Sequence, residues 1–109
     1  MELKNAAEFD RVVIRVLTAL AEEFPKPISL NFEVLGLADG PAYITANMRN
    51  QETQFTPQHA FAAQCVRFLA DEEYISGNLH ETWVGSACLT GKGLDLIKAI
   101  PNSLIQGRY

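Results

Sequence analysis

TPQHAFAAQCVRFLADEEYISGNLHETWVGSACLTGKGLDL, residues 56–96, carries helix, turn, strand and helix signals in succession. It opens on Thr56-Pro57, a helix start in which Thr is the cap and Pro takes the first helical position, where its missing N–H costs nothing. Behind it, Phe61, Ala62, Cys65, Phe68 and Leu69 recur at helical spacing, with Gln58, Ala60, Gln64, Arg67 and Asp71 on the opposite side. The spacing predicts a helix over 57–73. Gly77-Asn78 suits a turn, and 83–89 alternates Trp83, Gly85, Ala87 and Leu89 against Val84, Ser86 and Cys88, as a strand does. Thr90 then caps a last helix carrying Leu94, Ile97 and Ile100 and stopped by Pro101. Gly91 and Gly93 are poor helix formers in its first turn, so close approach of that turn to another backbone is expected.

Working outward, the clearest element is the first helix. Phe9, Val12, Val13, Val16, Leu17, Leu20 and Phe24 form one face, while Asp10, Arg11, Arg15, Glu22 and Glu23 occupy the other. Asn5 and Glu8 have the spacing of a capping box, and Pro25 and Pro27 end the helix. Ile14 falls off the main stripe, between Arg11 and Thr18: an isolated surface residue, or part of a dimer contact. The alternation in 28–34 predicts a half-buried strand. Signals then weaken. Asp39-Gly40-Pro41 is a turn, and 42–49 fits a short helix or a strand about equally well, with helix preferred.

With 109 residues, 48% hydrophobic and 20% charged, the chain fits one domain, 1–109, able to bury a core without disulfides or metal. No apolar run approaches the roughly 18 residues needed to span a bilayer, and the N-terminus lacks a signal-peptide layout. A cytoplasmic protein that does not engage membranes is expected. Cys65 and Cys88 read as small buried hydrophobes. The net charge of −4 and pI near 5.0 offer no general attraction for nucleic acid.

The phrases Leu69-Ala70-Asp71-Glu72-Glu73-Tyr74-Ile75 and Ala87-Cys88-Leu89-Thr90-Gly91-Lys92-Gly93-Leu94 resemble those of bacterial winged helix-turn-helix proteins, including MarR-like and PadR-like regulators. The openings Phe9-Asp10-Arg11-Val12 and Phe24-Pro25-Lys26-Pro27 and the close Ala99-Ile100-Pro101-Asn102-Ser103-Leu104 are similar to small uncharacterised winged-helix proteins of bacteria and mobile elements. About two thirds of the chain is covered. The resemblance implies an α+β winged helix-turn-helix, with a three-helix core, a small antiparallel wing sheet and a C-terminal helix. Glu73 stands where glycine is usual after the acidic pair, so a different turn is expected there.

In a DNA-binding winged helix the third helix enters the major groove, and several Arg or Lys are expected on its outer face. Across 57–89 Arg67 is the one cation, against Asp71, Glu72, Glu73 and Glu81. Protein contact is therefore the leading expectation: a homodimer and an unidentified protein partner, with Ile14, Asp71, Glu72, Trp83, Leu104, Ile105 and Tyr109 as candidate interface residues. The tail from Asn102 to Tyr109 has apolar residues without periodicity and would pack on the domain or on a second copy. The alternative is a DNA-binding transcriptional regulator in which Gln58, Gln64 and Arg67 read base edges and Lys92 touches phosphate. No enzyme, cofactor or metal site is expected. His59, His80, Cys65 and Cys88 match no zinc spacing, Gly85-Ser86-Ala87 is no nucleophile elbow, and Gly91-Lys92-Gly93 lacks the rest of a phosphate loop.

Overall fold

The computed structural model of the protein describes residues 3–98. Its elements are α1 (Ala6–Glu23), β1 (Ile28–Leu30), β2 (Tyr43–Ala46), β3 (Arg49–Glu52), α2 (Thr56–Asp71), β4 (Ile75–Leu79), β5 (Val84–Leu89) and α3 (Gly91–Leu96). The chain is α+β. One antiparallel sheet has the order β1-β5-β4, and β2 and β3 form a separate antiparallel hairpin. Among the described residues no helix is long and apolar enough to cross a membrane.

The core lies where α1 and α2 pack on each other and on the three-stranded sheet. Val12, Val16 and Leu20 of α1 meet Ala62, Val66 and Leu69 of α2 and Leu30, Val84, Ala87 and Leu89 of the sheet, all buried. Phe32 and Leu37 fill the same core from the segment after β1, and Phe32 is wholly excluded from solvent. The first-helix stripe is thus the buried face. The capping box is not formed: Asn5 occupies the N-cap position without a side-chain hydrogen bond, and Glu8 instead approaches Arg11 at 3.6 Å.

The face of α2 is rotated from the one the aromatic residues indicate. His59, Ala63 and Val66 are buried, whereas Phe68 is 49% exposed and rests edge-on against Phe9, with ring centroids 5.7 Å apart. Small side chains let the helix come close to its neighbours, and the bulky Phe68 is left at the margin of the contact. Thr56 begins the helix as its first residue, after Phe55 in the cap position.

The expected strand over 28–34 stops at Leu30. Asn31 Oδ1 accepts hydrogen bonds from the backbone N–H of Glu33 (3.0 Å) and Val34 (3.2 Å), and Leu35 N–H donates to Asn31 O (3.1 Å). The chain therefore coils into a single helical turn, the kind of local competition that Asn side chains offer to a strand. Val34 consequently points to solvent, 81% exposed. The preferred helix over 42–49 is also not formed. Residues 43–52 are the β2–β3 hairpin, closed by Asn47 and Met48 at φ +51° and +62°. Its second strand pairs with Tyr43–Ala46 rather than with β1.

A bulge sets the phase of β5. Ser76 pairs with Cys88 and Asn78 with Gly85, so Gly77 alone opposes Ser86 and Ala87, and Ser86 takes φ +51°. An extra residue reverses the alternation. Val84, Ala87 and Leu89 therefore all face the core, whereas Trp83, expected on the side of Ala87, is 47% exposed.

Thr90 caps α3 as expected, its hydroxyl accepting from Gly93 N–H at 3.1 Å. The expected helix through Ile97 stops short: α3 ends at Leu96, with Ile97 in the cap position and Lys98 at φ +57°, while Ile100 and Pro101 lie outside the described residues. The end of α2 is a Schellman motif: Tyr74 N–H donates to Leu69 O and Glu73 N–H to Ala70 O, both at 2.9 Å, with Glu73 at φ +68°. The turn is the left-handed one that glycine ordinarily closes, not a different one. A non-glycine residue there carries strain of about 1 kcal/mol. Glu73→Gly is expected to raise stability by up to about that amount, less its added unfolded-state entropy. Equilibrium denaturant unfolding checks this, and a lower midpoint for the variant would refute it.

Candidate functional site

Two regions present chemistry to solvent: the outward face of α2 and a cavity beside its first turn. The cavity depends on how the connection between β1 and α2 is held. Gln58 clamps Asp39, accepting from its N–H and donating to its carboxylate, each at 2.8 Å. His59 Nε2 meets Gly40 O at 2.8 Å and must be the donor, because a carbonyl only accepts. The hydroxyls of Thr53 and Thr56 donate to Pro41 O and Ala42 O. Residues 39–42 are thereby fastened to the start of α2.

The space between this fastened segment and the turn after β1 measures about 390 Å³. Asn31, Glu33, Tyr43, His59, Thr82 and Trp83 are among its lining residues. His59 and Thr82 are 5% exposed each, while Glu33 is exposed. Trp83 also stacks on His80, with ring centroids 3.8 Å apart and planes 13° from parallel. Of these, the sequence points only to Trp83, because the cavity joins residues from separate segments that share no motif.

Of the candidate base-reading residues, Gln64 and Arg67 share the exposed face of α2, while Gln58 and Lys92 are engaged elsewhere. Gln58 is half-buried and bonded twice to Asp39. Lys92 is also committed: its Nζ donates to Glu72 O at 2.8 Å and lies 4.7 Å from the Tyr74 ring centroid. A cation is well placed there, at the negative end of α2. Gln64 and Arg67 remain exposed on α2, with Phe68 and Asp71 beside them at helical spacing. Arg11 and Arg15 donate to Gly36 O (3.0 Å) and Leu35 O (2.9 Å), so they secure the turn after β1. Arg49 sits in the β2–β3 hairpin and Lys98 beyond α3, both exposed.

Of the candidate interface residues, Asp71 and Glu72 are exposed at the end of α2. Ile14 is 64% exposed and is not isolated. With Leu17, Thr18, Ala21, Glu22 and Ile97 it lines an apolar groove of about 460 Å³. Leu104, Ile105 and Tyr109 lie outside the described residues.

Both cysteines are free. Cys65 is buried, and burial raises its thiol pKa above the ordinary value, offset in part by a backbone hydrogen bond. Cys88, expected to look inward, is half-buried with Sγ 3.5 Å from Pro25 O. Among the described residues no group of three or more His, Cys, Asp or Glu is arranged to hold a metal ion. No protein-family model matches the chain, and no curated protein and no solved structure matches it either.

Proposed function

We propose that the protein is a non-catalytic winged-helix module that works by protein contact and self-association. The winged-helix reading is supported by the succession of α1, β1, α2, the β4–β5 hairpin and α3, and by the sheet order β1-β5-β4. In that reading α2 stands as the third helix and β4–β5 as the wing. The second helix is replaced by the turn after β1 and the β2–β3 hairpin.

The observation that carries the functional reading is the outward face of α2. It offers Gln64, Arg67, Phe68 and Asp71: one cation, one carboxylate and an exposed aromatic ring. Neutralising phosphate charge supplies nearly all non-specific affinity for DNA, and a face with a single Arg supplies little of it. Lys92, Arg11 and Arg15 belong to α3 and α1 rather than to this face, and each donates to a backbone carbonyl. Exposed apolar surface bordered by polar residues instead fits a protein partner. The groove around Ile14 supplies the surface for a second copy. Sedimentation equilibrium is expected to show a reversible monomer–dimer equilibrium, and a monomer at every concentration would overturn the self-association reading.

A further inference from the structure

We propose that the cavity between the turn after β1 and the start of α2 binds a positively charged organic group, an alkylguanidinium or alkylammonium. Its size, about 390 Å³, lies within the ordinary range for small-ligand pockets and holds a single basic side chain with room to spare. Among the described lining residues Glu33 supplies the one carboxylate, and there is neither Lys nor Arg. Aromatic rings stand with it: Tyr43 and Trp83 line the cavity and are partly exposed. A cation gains from a carboxylate and from an aromatic face at once, whereas an anion meets repulsion from the first and nothing from the second. The hydroxyls of Ser29 and Thr82 and the amide of Asn31 add hydrogen-bonding groups to the lining.

Both walls are set before any ligand arrives. Asn31 holds the turn that carries Glu33 through the N–H groups of Glu33 and Val34. Gln58, His59, Thr53 and Thr56 hold the opposite wall at 39–42. A preorganised cavity spends little binding energy on ordering itself. None of its lining residues lines the groove around Ile14, so the sedimentation behaviour of the protein leaves this inference standing.

Trp83 is the only tryptophan of the chain, so its fluorescence reports on the cavity directly. The test titrates the full chain with n-butylguanidinium, n-butylammonium and 1-butanol, and repeats the series on Glu33→Gln. Glu33 is exposed and takes part in its turn through its backbone, so this variant keeps the fold, which circular dichroism verifies. The expected result is a saturable change with the two cations, no saturable change with 1-butanol, and binding weakened about tenfold or more in Glu33→Gln. Absence of saturation with either cation overturns the proposal, as does equal response to 1-butanol or equal affinity in the variant. Acetyl-Gly-Arg-Gly-amide identifies the source of the group. Tighter binding than n-butylguanidinium assigns the cavity to a basic side chain of a polypeptide, and binding no tighter assigns it to a free small cation.

Discussion

Replacing Gly93 with alanine is expected to destabilise the protein by about 3 kcal/mol, at the upper end of the usual cost of overpacking. A Cβ at this position would stand 2.0 Å from Tyr74 O and 3.0 Å from Leu89 Cδ2. The first of these is backbone and cannot swing aside. Tyr74 O also accepts from Thr90 N–H at 3.1 Å, so the clash falls on the contact that seats α3 beside the sheet. Against a total stability of roughly 5–15 kcal/mol, such a loss lowers the thermal midpoint by on the order of 10 °C. Gly91→Ala is the control, because nothing lies within 4 Å of a Cβ there. It is expected to leave the midpoint unchanged or slightly raised, and a Gly93→Ala variant that melts with the parent would show that α3 does not dock this way.

Replacing Ile14 with glutamate is expected to weaken the proposed dimer by a factor of roughly 100 or more, since burying an unpaired carboxylate costs several kcal/mol and each 1.4 kcal/mol is tenfold. Ile14 is 64% exposed on α1, in a groove whose other walls include Leu17, Ala21 and Ile97. In the monomer the new charge points into water, so thermal stability should move little. That separation of readouts is the strength of the test. Sedimentation equilibrium of the variant beside the parent decides it, and an unchanged dissociation constant would place the interface elsewhere.

The helices were legible because their apolar residues recur with the helical period and their ends carry Pro, Thr or a tight turn. Val12, Val16 and Leu20 face the core as their spacing requires, and Thr90 caps α3 as its position requires. The approach of Gly93 to another backbone was legible for the same reason: a glycine is costly in a helical turn unless space forbids a side chain. Gly91, under the same expectation, has no such neighbour.

The β2–β3 hairpin was not legible. None of its eight strand residues is buried, so no alternation of apolar and polar side chains marks it. Its turn is Asn47-Met48, and only Asn is a usual occupant of a left-handed position. The bulge at Ser86 was hidden for a different reason. Period-two reading assumes an unbroken strand, and one inserted residue moves Val84 from the outer to the inner set. The cavity was equally hidden, since Glu33, Tyr43 and Thr82 approach one another only after the turn at Asn31 and the hairpin have formed.

The same contacts bear on the alternative reading, that the protein binds DNA. Arg11, Arg15 and Lys92 belong to α1 and α3, and each donates to a carbonyl at the end of a helical segment. What remains on α2 is Arg67 between Gln64 and Asp71. The most direct measurement is fluorescence anisotropy of a labelled random-sequence duplex titrated with the protein at low salt and again at physiological salt. No binding is expected at either, because Arg67 is the one cation on the outward face of α2. Binding at low salt that falls steeply as salt rises would contradict it, and would establish a phosphate-contacting surface on this protein.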